Sequence, residues 1–390
     1  MDKREMQFKL RILLCAAALA LLVPARNASA QAPRQMESTL LWQGGVGGYE
    51  TYRIPGIVVT ARGAVLAYGV GRRYLKDGDW SDGDILLRRS IDGGHSWEPS
   101  RRIAGNGHGV TDNPVAIADR RRGVVHFLYQ HDYARVFYMR SKNDGASFTR
   151  PVDITAALEG LRPQFNWTVV ALGPGHAIQL KSGRLLVPVW LAAGAPTVKG
   201  QRRHAPSAIT TLYSDNGGRS WRHGELIAVD SPEMENPNEM QVVQLADGSV
   251  MANIRTGDKA RQRAVALSPD GISHWTKPRF DPHLYDPICA AGIVRYDSSR
   301  ILFTNPDSQS LPGSNQTHGL RQNLTLKISE DEGRTWPLAR LLHRGSSGYS
   351  DIAVAPDKTI YVIYEGVLDR DAKANSITVL RFDLAWITTP

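Results

Sequence analysis

One eight-residue pattern recurs five times along the chain and limits the folds that the sequence can adopt. Each copy begins with Ser, then has Asp or Asn and a Gly, and ends in Trp or Phe. Such a segment is typical of a tight hairpin turn, because the Asp or Asn side chain caps the bend, Gly accepts a positive φ and the aromatic ring covers the turn. The copies are SIDGGHSW at 90–97, SKNDGASF at 141–148, SDNGGRSW at 214–221, SPDGISHW at 268–275 and SEDEGRTW at 329–336.

The spacing of these turns indicates a fold built from repeated β units. Their first serines are 51, 73, 54 and 61 residues apart. Between them lie short β-type runs, for example 56–60, 124–129, 185–190 and 359–364, whereas helical periodicity is almost absent. With 42% hydrophobic and 22% charged residues, the chain is neither disordered nor fibrous. An all-β sandwich, barrel or propeller is expected, and the repeats decide among them.

The first thirty residues carry the pattern of a secretory signal peptide. Basic residues 3, 4, 9 and 11 precede an apolar run at 12–23, and Ala28-Ser-Ala30 supplies a small-residue cleavage site. We therefore expect a signal peptide over residues 1–30, a polar lead-in over 31–36 and a secreted or periplasmic mature chain. An uncleaved membrane anchor is the alternative. No later apolar run is long enough to predict a membrane span.

Charge and cysteine content narrow the possible partners. The formal charge of +9 falls to +6 without the first thirty residues, and no Lys or Arg run indicates nucleic-acid binding. Arg101, Arg102 and the arginine run 120–122 are expected to be solvated surface charges. Cys289 is the only cysteine after the predicted cleavage site, so no intrachain disulfide can form there.

The repeated turn resembles the Asp-box, or BNR repeat, of sialidases and related β-propellers. That resemblance implies a six-bladed propeller of four-stranded antiparallel blades over residues 37–390, with structural rather than catalytic Asp-box aspartates. Further segments match sialidase motifs in the family's order. They are YRIP at 52–55, GPGH at 173–176, GRLLVP at 183–188, NEMQVVQL at 238–245, ANIR at 252–255, RQNL at 321–324 and GYSD at 348–351. The chain is therefore expected to be a retaining exo-α-sialidase that removes terminal sialic acids from glycoproteins, glycolipids or oligosaccharides.

The resemblance implies a cluster of three arginines that binds the substrate carboxylate. Arg53, Arg255 and Arg321 match the family's three arginines, and planar guanidinium groups bind carboxylates through paired, charge-assisted hydrogen bonds. Glu365 resembles the late glutamate that orients the first of them. An ordinary charge at a strand end is the alternative for Glu365.

Tyr349 matches the family's nucleophile and Glu239 its paired base. A sialic acid carries a carboxylate on its anomeric carbon, which repels an anionic nucleophile, and sialidases are exceptions that use tyrosine. An unperturbed tyrosine ionises near pH 10, so a neighbouring carboxylate must accept its proton. Glu233 and Glu235 are the nearest rivals to Glu239, but they lack the Asn-Glu-x-Gln setting.

The resemblance implies a general acid among the carboxylates of the segment 76–84. The family's spacing from Ser90 selects Asp79, with Asp77 and Asp82 as alternatives, and desolvation is expected to raise the pKa of this acid. Arg72 resembles an arginine near the 4-hydroxyl of the sugar. Asn113 stands where some relatives have a carboxylate, which is expected to alter the choice among modified sialic acids. An ordinary surface arginine and a turn asparagine are the alternatives for these two residues.

Three other functions fit the same residues. The chain could transfer sialic acid to a sugar acceptor, or hydrolyse glycosides of a related nine-carbon keto acid. A non-catalytic sialoglycan-binding propeller is the alternative of another class, although the candidate nucleophile, base and acid are all present. No metal-ligand spacing or phosphate loop occurs, so catalysis is expected to need no cofactor and no metal. No sequence feature indicates an oligomeric state.

Overall fold

The computed structural model describes residues 35–197, 200–314, 319–366 and 375–388. The predicted signal peptide and most of the polar lead-in lie outside the described residues. Within these ranges the chain forms 26 strands, most of them short. In chain order they are β1 (Glu37–Trp42), β2 (Thr51–Val59), β3 (Val65–Arg72), β4 (Gly83–Ser90), β5 (Arg101–Gly105), β6 (Thr111–Asp119), β7 (Val124–His131), β8 (Arg135–Ser141), β9 (Val152–Asp153), β10 (Val169–Leu172), β11 (Gly175–His176), β12 (Ile178–Gln179), β13 (Leu185–Ala192), β14 (Ser207–Ser214), β15 (Arg222–His223), β16 (Ala228–Val229), β17 (Met240–Gln244), β18 (Val250–Ile254), β19 (Gln262–Ser268), β20 (Arg279–Tyr285), β21 (Gly292–Arg295), β22 (Ile301–Pro306), β23 (Gln322–Ser329), β24 (Leu338–Val354), β25 (Ile360–Gly366) and β26 (Ser376–Phe382).

Helix is scarce in the described residues. Two 3-10 segments cover Leu75–Trp80 and Thr155–Leu161, and one α-helix covers Leu384–Thr388. None of the helices in this part of the chain has the length and apolar character needed to cross a membrane. The prediction of an all-β fold is confirmed, because strands account for nearly all the regular structure that the described ranges contain.

The described strands form five sheets, and neighbouring strands pair antiparallel except for the short pairing of β11 with β6. Most strands pair with the next strand along the chain, as expected for successive hairpins. The sheet orders are β2-β3-β4-β5, then β11-β6-β7-β8-β9, then β10-β13-β14-β15 with β12 beside β13 and β16 beside β14, then β17-β18-β19-β20, and last β1-β26-β25-β24-β23-β22-β21.

The seven-stranded sheet depends on one long strand. β24 has 17 residues and pairs with β23 through its first part, up to Ser346. From Ser347 onward it pairs with β25 instead. One strand therefore joins two groups of strands that would otherwise be separate sheets. The first strand, β1, completes this sheet by pairing with β26 from the other end of the chain.

The apolar core lies between consecutive sheets. Ile85 of the first sheet packs in one buried cluster with Phe127 of the second, and Met251 packs with Phe303 in the same way further along the chain. Strands such as β3 and β13 are buried at every position. A strand covered on both faces has apolar residues without alternation, which explains runs such as 185–191.

The repeated turns have the hydrogen bonds that the sequence predicts. In the first, the Ser90 hydroxyl accepts from the Gly94 amide at 2.8 Å, and Asp92 accepts from the Ser96 amide at 3.0 Å. These local donors hold the pKa of the exposed Asp92 carboxyl well below its usual range. In the fourth turn the glycine comes one residue earlier, and the Gly271 amide donates to Ser268 at 2.9 Å. The hydrogen bond to the serine hydroxyl spans three residues there and four in the first turn, which explains why Ile272 stands where the other copies have glycine.

Candidate active site

The residues that the sequence identifies collect at one edge of the sheets. Arg53 lies near the start of β2 and Arg72 ends β3, and the register pairs Thr51 with Arg72. Glu239 directly precedes β17 and Arg255 directly follows β18, which are paired in the same way. In an antiparallel pair the start of one strand lies beside the end of the next, so residues far apart in sequence meet.

Tyr349, Glu239 and Arg255 form a hydrogen-bonded group. The Tyr349 hydroxyl donates to Glu239 Oε1 at 2.5 Å, and Arg255 Nη1 donates to the hydroxyl oxygen at 2.7 Å. The same guanidinium forms an ion pair with Glu239 Oε2. Burial raises the pKa of Tyr349 above its ordinary value, and the Glu239 charge adds to this although Arg255 opposes it. The phenol is therefore neutral in this state, and Glu239 is placed to receive its proton.

Three guanidinium groups surround the ring of Tyr349. The Cζ atoms of Arg53, Arg255 and Arg321 lie 5.1, 5.8 and 5.5 Å from the ring centroid. Arg321 also donates to the main-chain oxygen of Ile288. Three positive charges beside one neutral ring create a strong positive potential. An anionic group placed over Tyr349 would be bound by several donors at once.

Glu365 fixes the first of these arginines. It is 1% exposed, and its Oε1 accepts from Arg53 Nε at 2.8 Å and from the Ile54 amide at 2.8 Å. Ile54 has a φ of 56°, a left-handed conformation that is strained for a β-branched residue. The register of β2 against β3 shifts between Arg53 and Gly56. The bulge re-aims the strand at this point, and Glu365 holds both the backbone and the guanidinium in place.

Arg72 lies between two carboxylates. Its Nη2 donates to Asp112 at 2.7 Å and its Nη1 to Asp79 at 2.9 Å. The side chains of Arg72 and Asp112 are 3% and 1% exposed, whereas that of Asp79 is 50% exposed. Asp79 therefore faces the open side of the site, on the 3-10 segment between β3 and β4. Asp112 is the buried anchor of the arginine.

The charges around Asp79 oppose the pKa shift expected from the sequence. Burial acts to raise its pKa, but Arg72 and then Arg53 outweigh burial and leave the pKa well below its usual range. The carboxyl is therefore ionised at neutral pH in this state. Asp112 shows the opposite balance, because burial raises its pKa more than Arg72 lowers it.

Asn113 turns away from Arg72. Its Nδ2 donates to the main-chain oxygen of Leu172 at 3.0 Å, and its backbone has a φ of 50°. The carboxylate beside Arg72 is Asp112, one residue earlier, which sequence reasoning does not identify. The register of β6 shifts between Asp112 and Val115, so simple alternation along this strand does not give the direction of either side chain.

The rival carboxylates lie elsewhere. Glu233 and Glu235 are exposed, whereas Glu239 is 7% exposed. Asp82 lies 3.6 Å from His108, and Asp77 lies in the first turn of the 3-10 segment. Among the described residues, Asp79 is the member of its segment that pairs with Arg72.

An aromatic cluster that the sequence does not predict lies near Asp79. The ring of His204 lies 4.7 Å from that of Tyr133, 5.1 Å from Trp190 and 6.0 Å from Trp80. Burial lowers the pKa of His204, partly opposed by the charge of Asp79. These residues come from separate loops and strands, and no sequence periodicity links them.

No group of three or more His, Cys, Asp or Glu in the described part of the chain is placed to hold a metal ion.

Comparison with protein families finds one matching model, described as a BNR repeat-like domain, over residues 77–362. A sialidase of Micromonospora viridifaciens is 28% identical over 385 residues, covering 87% of this chain and 52% of that protein. Sialidase-3 of Mus musculus is 27% identical, covering 84% of this chain and 90% of that protein. An exo-alpha-sialidase of Aspergillus fumigatus is also 27% identical, with 87% and 86% covered. The chain thus spans about half the length of the Micromonospora protein.

The fold of this chain is also similar to those of solved sialidase structures. A Hadza microbial sialidase superposes with a TM-score of 0.74 at 23% identity, covering 90% of this chain and 69% of that chain. An intramolecular trans-sialidase from Ruminococcus gnavus, solved with oseltamivir carboxylate, superposes with a TM-score of 0.70 at 15% identity, with 90% and 98% covered. At these identities the likeness establishes the fold.

Proposed function

The chain belongs to the BNR repeat-like domain family, and on that premise we propose that it is a retaining exo-α-sialidase acting through a tyrosyl-glycoside intermediate. The resemblance to sialidases carried by the sequence motifs is confirmed, and the curated relatives support a glycoside hydrolase. The observation that carries the mechanism is the 2.5 Å hydrogen bond from Tyr349 to Glu239 beneath three guanidinium groups.

Substrate binding is assigned to Arg53, Arg255 and Arg321. A sialic acid has its carboxylate on the reacting anomeric carbon, so a cluster that binds this carboxylate over Tyr349 also brings the carbon to the phenol. Glu365 supports the assignment, because it holds Arg53 by its Nε and leaves the outer nitrogens for the substrate.

Tyr349 is the proposed nucleophile and Glu239 its base. The phenol is neutral before attack, so the substrate carboxylate meets no anion at the nucleophilic atom. As the bond to the anomeric carbon forms, the proton passes from the Tyr349 oxygen to Glu239 Oε1. Arg255 donates to the same phenol oxygen and stabilises negative charge that develops there.

Asp79 is the proposed general acid. It is half exposed and can reach the leaving oxygen, but it is ionised while Arg72 and Arg53 act on it. The substrate carboxylate would place a negative charge beside Arg53 and offset part of that effect. Substrate binding therefore raises the pKa of Asp79 toward the range in which a carboxylic acid can donate a proton.

We also propose that the five sheets represent a six-bladed propeller. Dividing the seven-stranded sheet within β24 gives one group with β21, β22 and β23 and another with β25, β26 and β1. Each of the six groups then contains a series of four antiparallel strands, as the Asp-box resemblance implies, and β11, β12 and β16 are short additions to two of the groups.

The remaining assignments follow from the sequence alone. Residues 1–30 are proposed to be a cleaved signal peptide and residues 37–390 the catalytic propeller of a secreted or periplasmic enzyme. Its substrates are proposed to be sialylated glycoproteins, glycolipids or oligosaccharides. Arg72 is proposed to lie near the 4-hydroxyl of the bound sugar.

A mechanism-based label tests the central proposal. A 2,3-difluorinated sialic acid should form a stable adduct on Tyr349, which peptide mass spectrometry can locate. Tyr349→Phe should form no such adduct, whereas Tyr213→Phe, a tyrosine of β14 outside the site, should label as the parent does. An adduct on Glu239 or Asp79 would reverse the assigned roles. NMR of the released sugar would then separate hydrolysis, which frees the α-anomer first, from transfer to an added acceptor.

A further inference from the structure

A cavity of about 450 Å³ lies away from the candidate active site. Its lining includes Ile57–Val59 at the end of β2, whereas Arg53 lies near the start of that strand. Along β24, Tyr349 precedes the lining residues, which begin at Ile352 and continue past the end of the strand to Pro356. At about 3.3 Å per residue, the six positions from Arg53 to Val59 span roughly 20 Å. The cavity therefore opens at the opposite ends of the strands that carry the active site.

The charged side chains that line this cavity are all basic. Four basic residues line it, namely Arg120, Lys181, Arg295 and Lys358, and the described lining contains no Asp or Glu. They come from different parts of the fold, because Arg120 follows β6, Lys181 follows β12, Arg295 ends β21 and Lys358 connects β24 to β25. Cations from separate sheets thus converge on one space.

Three of these cations bond to neutral main-chain oxygens. Arg120 Nη2 donates to Val354 at 3.1 Å, Lys358 Nζ to Tyr296 at 2.9 Å and Lys181 Nζ to Ala246 at 3.3 Å. A carbonyl oxygen holds the side chain in position without neutralising its charge. No ion pair within 4 Å joins these three residues to a carboxylate in the described ranges, although Lys181 lies close enough to Asp247 to help lower the pKa of that carboxyl. Arg295 pairs with Glu332.

A fifth basic residue strengthens the positive potential. Arg121 Nη1 donates to the main-chain oxygen of Ser182 at 3.2 Å, in the turn that carries Lys181. Of the arginine run 120–122, which the sequence predicts to be surface charge, Arg120 lines the cavity and Arg121 bonds to the turn that carries Lys181. Like charges gathered at one opening repel each other, so an anion that binds among them relieves that repulsion.

We propose that this cavity binds a phosphate or sulfate group, as the free ion or as an ester on a small sugar. A tetrahedral oxyanion presents several oxygens in different directions, which matches ammonium and guanidinium donors that approach from separate sheets. The cavity is much larger than the space of roughly 30 Å³ that one water occupies, so a sugar body can accompany the oxyanion. This site is independent of the proposed catalytic function.

Calorimetric titration of the mature chain tests this inference. The probes are inorganic phosphate, inorganic sulfate, glucose 6-phosphate and glucose 6-sulfate, with glucose as the neutral control. The double variant Lys181→Ala/Lys358→Ala removes two exposed cations from the rim, and thermal unfolding checks that it still folds. Lys142→Ala/Lys277→Ala removes two exposed lysines outside the cavity and is the matched control.

At least one anionic probe should bind the parent and the control variant, and the rim variant should bind it at least tenfold more weakly. Added sodium chloride should weaken binding to the parent, because it screens the rim charges. Tighter binding of the esters than of the ions would assign the site to a sugar ester, and equal binding would assign it to the free ion. Equal binding by the rim variant, as expected of an anion held only at the active-site arginines, would overturn the proposal. Absence of binding, or equal affinity for glucose, would also overturn it.

Discussion

At the scale of single residues, the site combines a neutral phenol with fixed positive charge. Tyr349 is 7% exposed, and burial raises its pKa, so the phenol is uncharged while its hydroxyl donates to Glu239. Arginine side chains in general keep their charge throughout the physiological pH range. Their fork geometry matters as much as their charge, because a carboxylate is held by two parallel hydrogen bonds.

Replacing Arg321 with Lys should separate geometry from charge. Arg321→Lys keeps the positive charge but removes the planar fork, so kcat/KM should fall about 10²-fold, which corresponds to about 2.7 kcal/mol of transition-state binding. Arg334→Lys, at an exposed position of the fifth repeated turn, is the control and should keep parental activity. Steady-state kinetics with a sialoside measures both. Unchanged turnover in Arg321→Lys would exclude this residue from carboxylate binding.

His126 should make the protein sensitive to acid. Its side chain is 1% exposed, and burial lowers its pKa to about 4, although Asp119 lies 3.5 Å away. An unfolded histidine has a pKa near 6.5, so the unfolded chain takes up the proton first as the pH falls. The stabilisation is complete above pH 6.5 and is lost as the pH falls toward 4, at about 3 kcal/mol.

Urea unfolding at pH 7 and pH 4 measures this effect. The parent should lose more unfolding free energy than His126→Gln over this interval, by about 3 kcal/mol. His95→Gln, whose side chain is 57% exposed, should behave as the parent does. An equal acid loss in the parent and His126→Gln would show that this histidine does not titrate as its burial implies.

At the scale of elements, irregularities in strand pairing lie beside several residues of the site. The pairing register shifts beside Arg53 in β2, beside Asp112 in β6 and within the stretch of β24 that contains Tyr349. A bulge turns a strand and re-aims its side chains, so each shift presents a polar group that regular pairing would direct elsewhere. The sequence predicts the turns well, because Gly, Asp and Asn mark them. It does not predict these bulges, because their conformations at Ile54 and Asn113 depend on packing from other strands.

The 3-10 segment that carries Asp79 should control leaving-group protonation. Asp79→Ala should greatly slow hydrolysis of natural sialosides, whose departing oxygen needs a proton. Aryl sialosides with acidic phenols leave without one, so much of their hydrolysis should remain. Asp77→Ala, in the same segment, is the matched control. Kinetics on both substrate types measures the difference, and equal losses on both in Asp79→Ala would move the acid to Asp77 or Asp82.

At the scale of the whole molecule, the two ends of the described chain meet in one sheet. β1 pairs with β26, and Arg381 Nη1 donates to Glu37 at 2.8 Å. Trp42 at the end of β1 is 4% exposed, and its Nε1 donates to Ser100 at 2.7 Å. The first strand therefore connects the last sheet with the segment that leads into β5.

Trp42→Ala tests how much the packing of β1 contributes to the stability of the folded chain. Removing a buried tryptophan costs about 3–5 kcal/mol, so the unfolding free energy should fall by about this amount. Leu40 on the same strand is 43% exposed, so Leu40→Ala is the control and should change the unfolding free energy by less than about 0.5 kcal/mol. Urea unfolding of the mature chain measures both. Equal effects would show that β1 contributes little to stability.

The sequence by itself determined the β character of the chain, its repeated turns and the identity of the residues that meet around Tyr349. These depend on local backbone preferences and on motifs that can be recognised in the sequence without a structure. Only the tertiary structure decided that Asp112 rather than Asn113 pairs with Arg72, and that the charges near Asp79 lower its pKa. It also brought Arg120, Lys181 and Lys358 to one cavity. Side-chain direction at a bulge and the strength of a charge interaction depend on distances between residues remote in sequence, which only the folded chain sets.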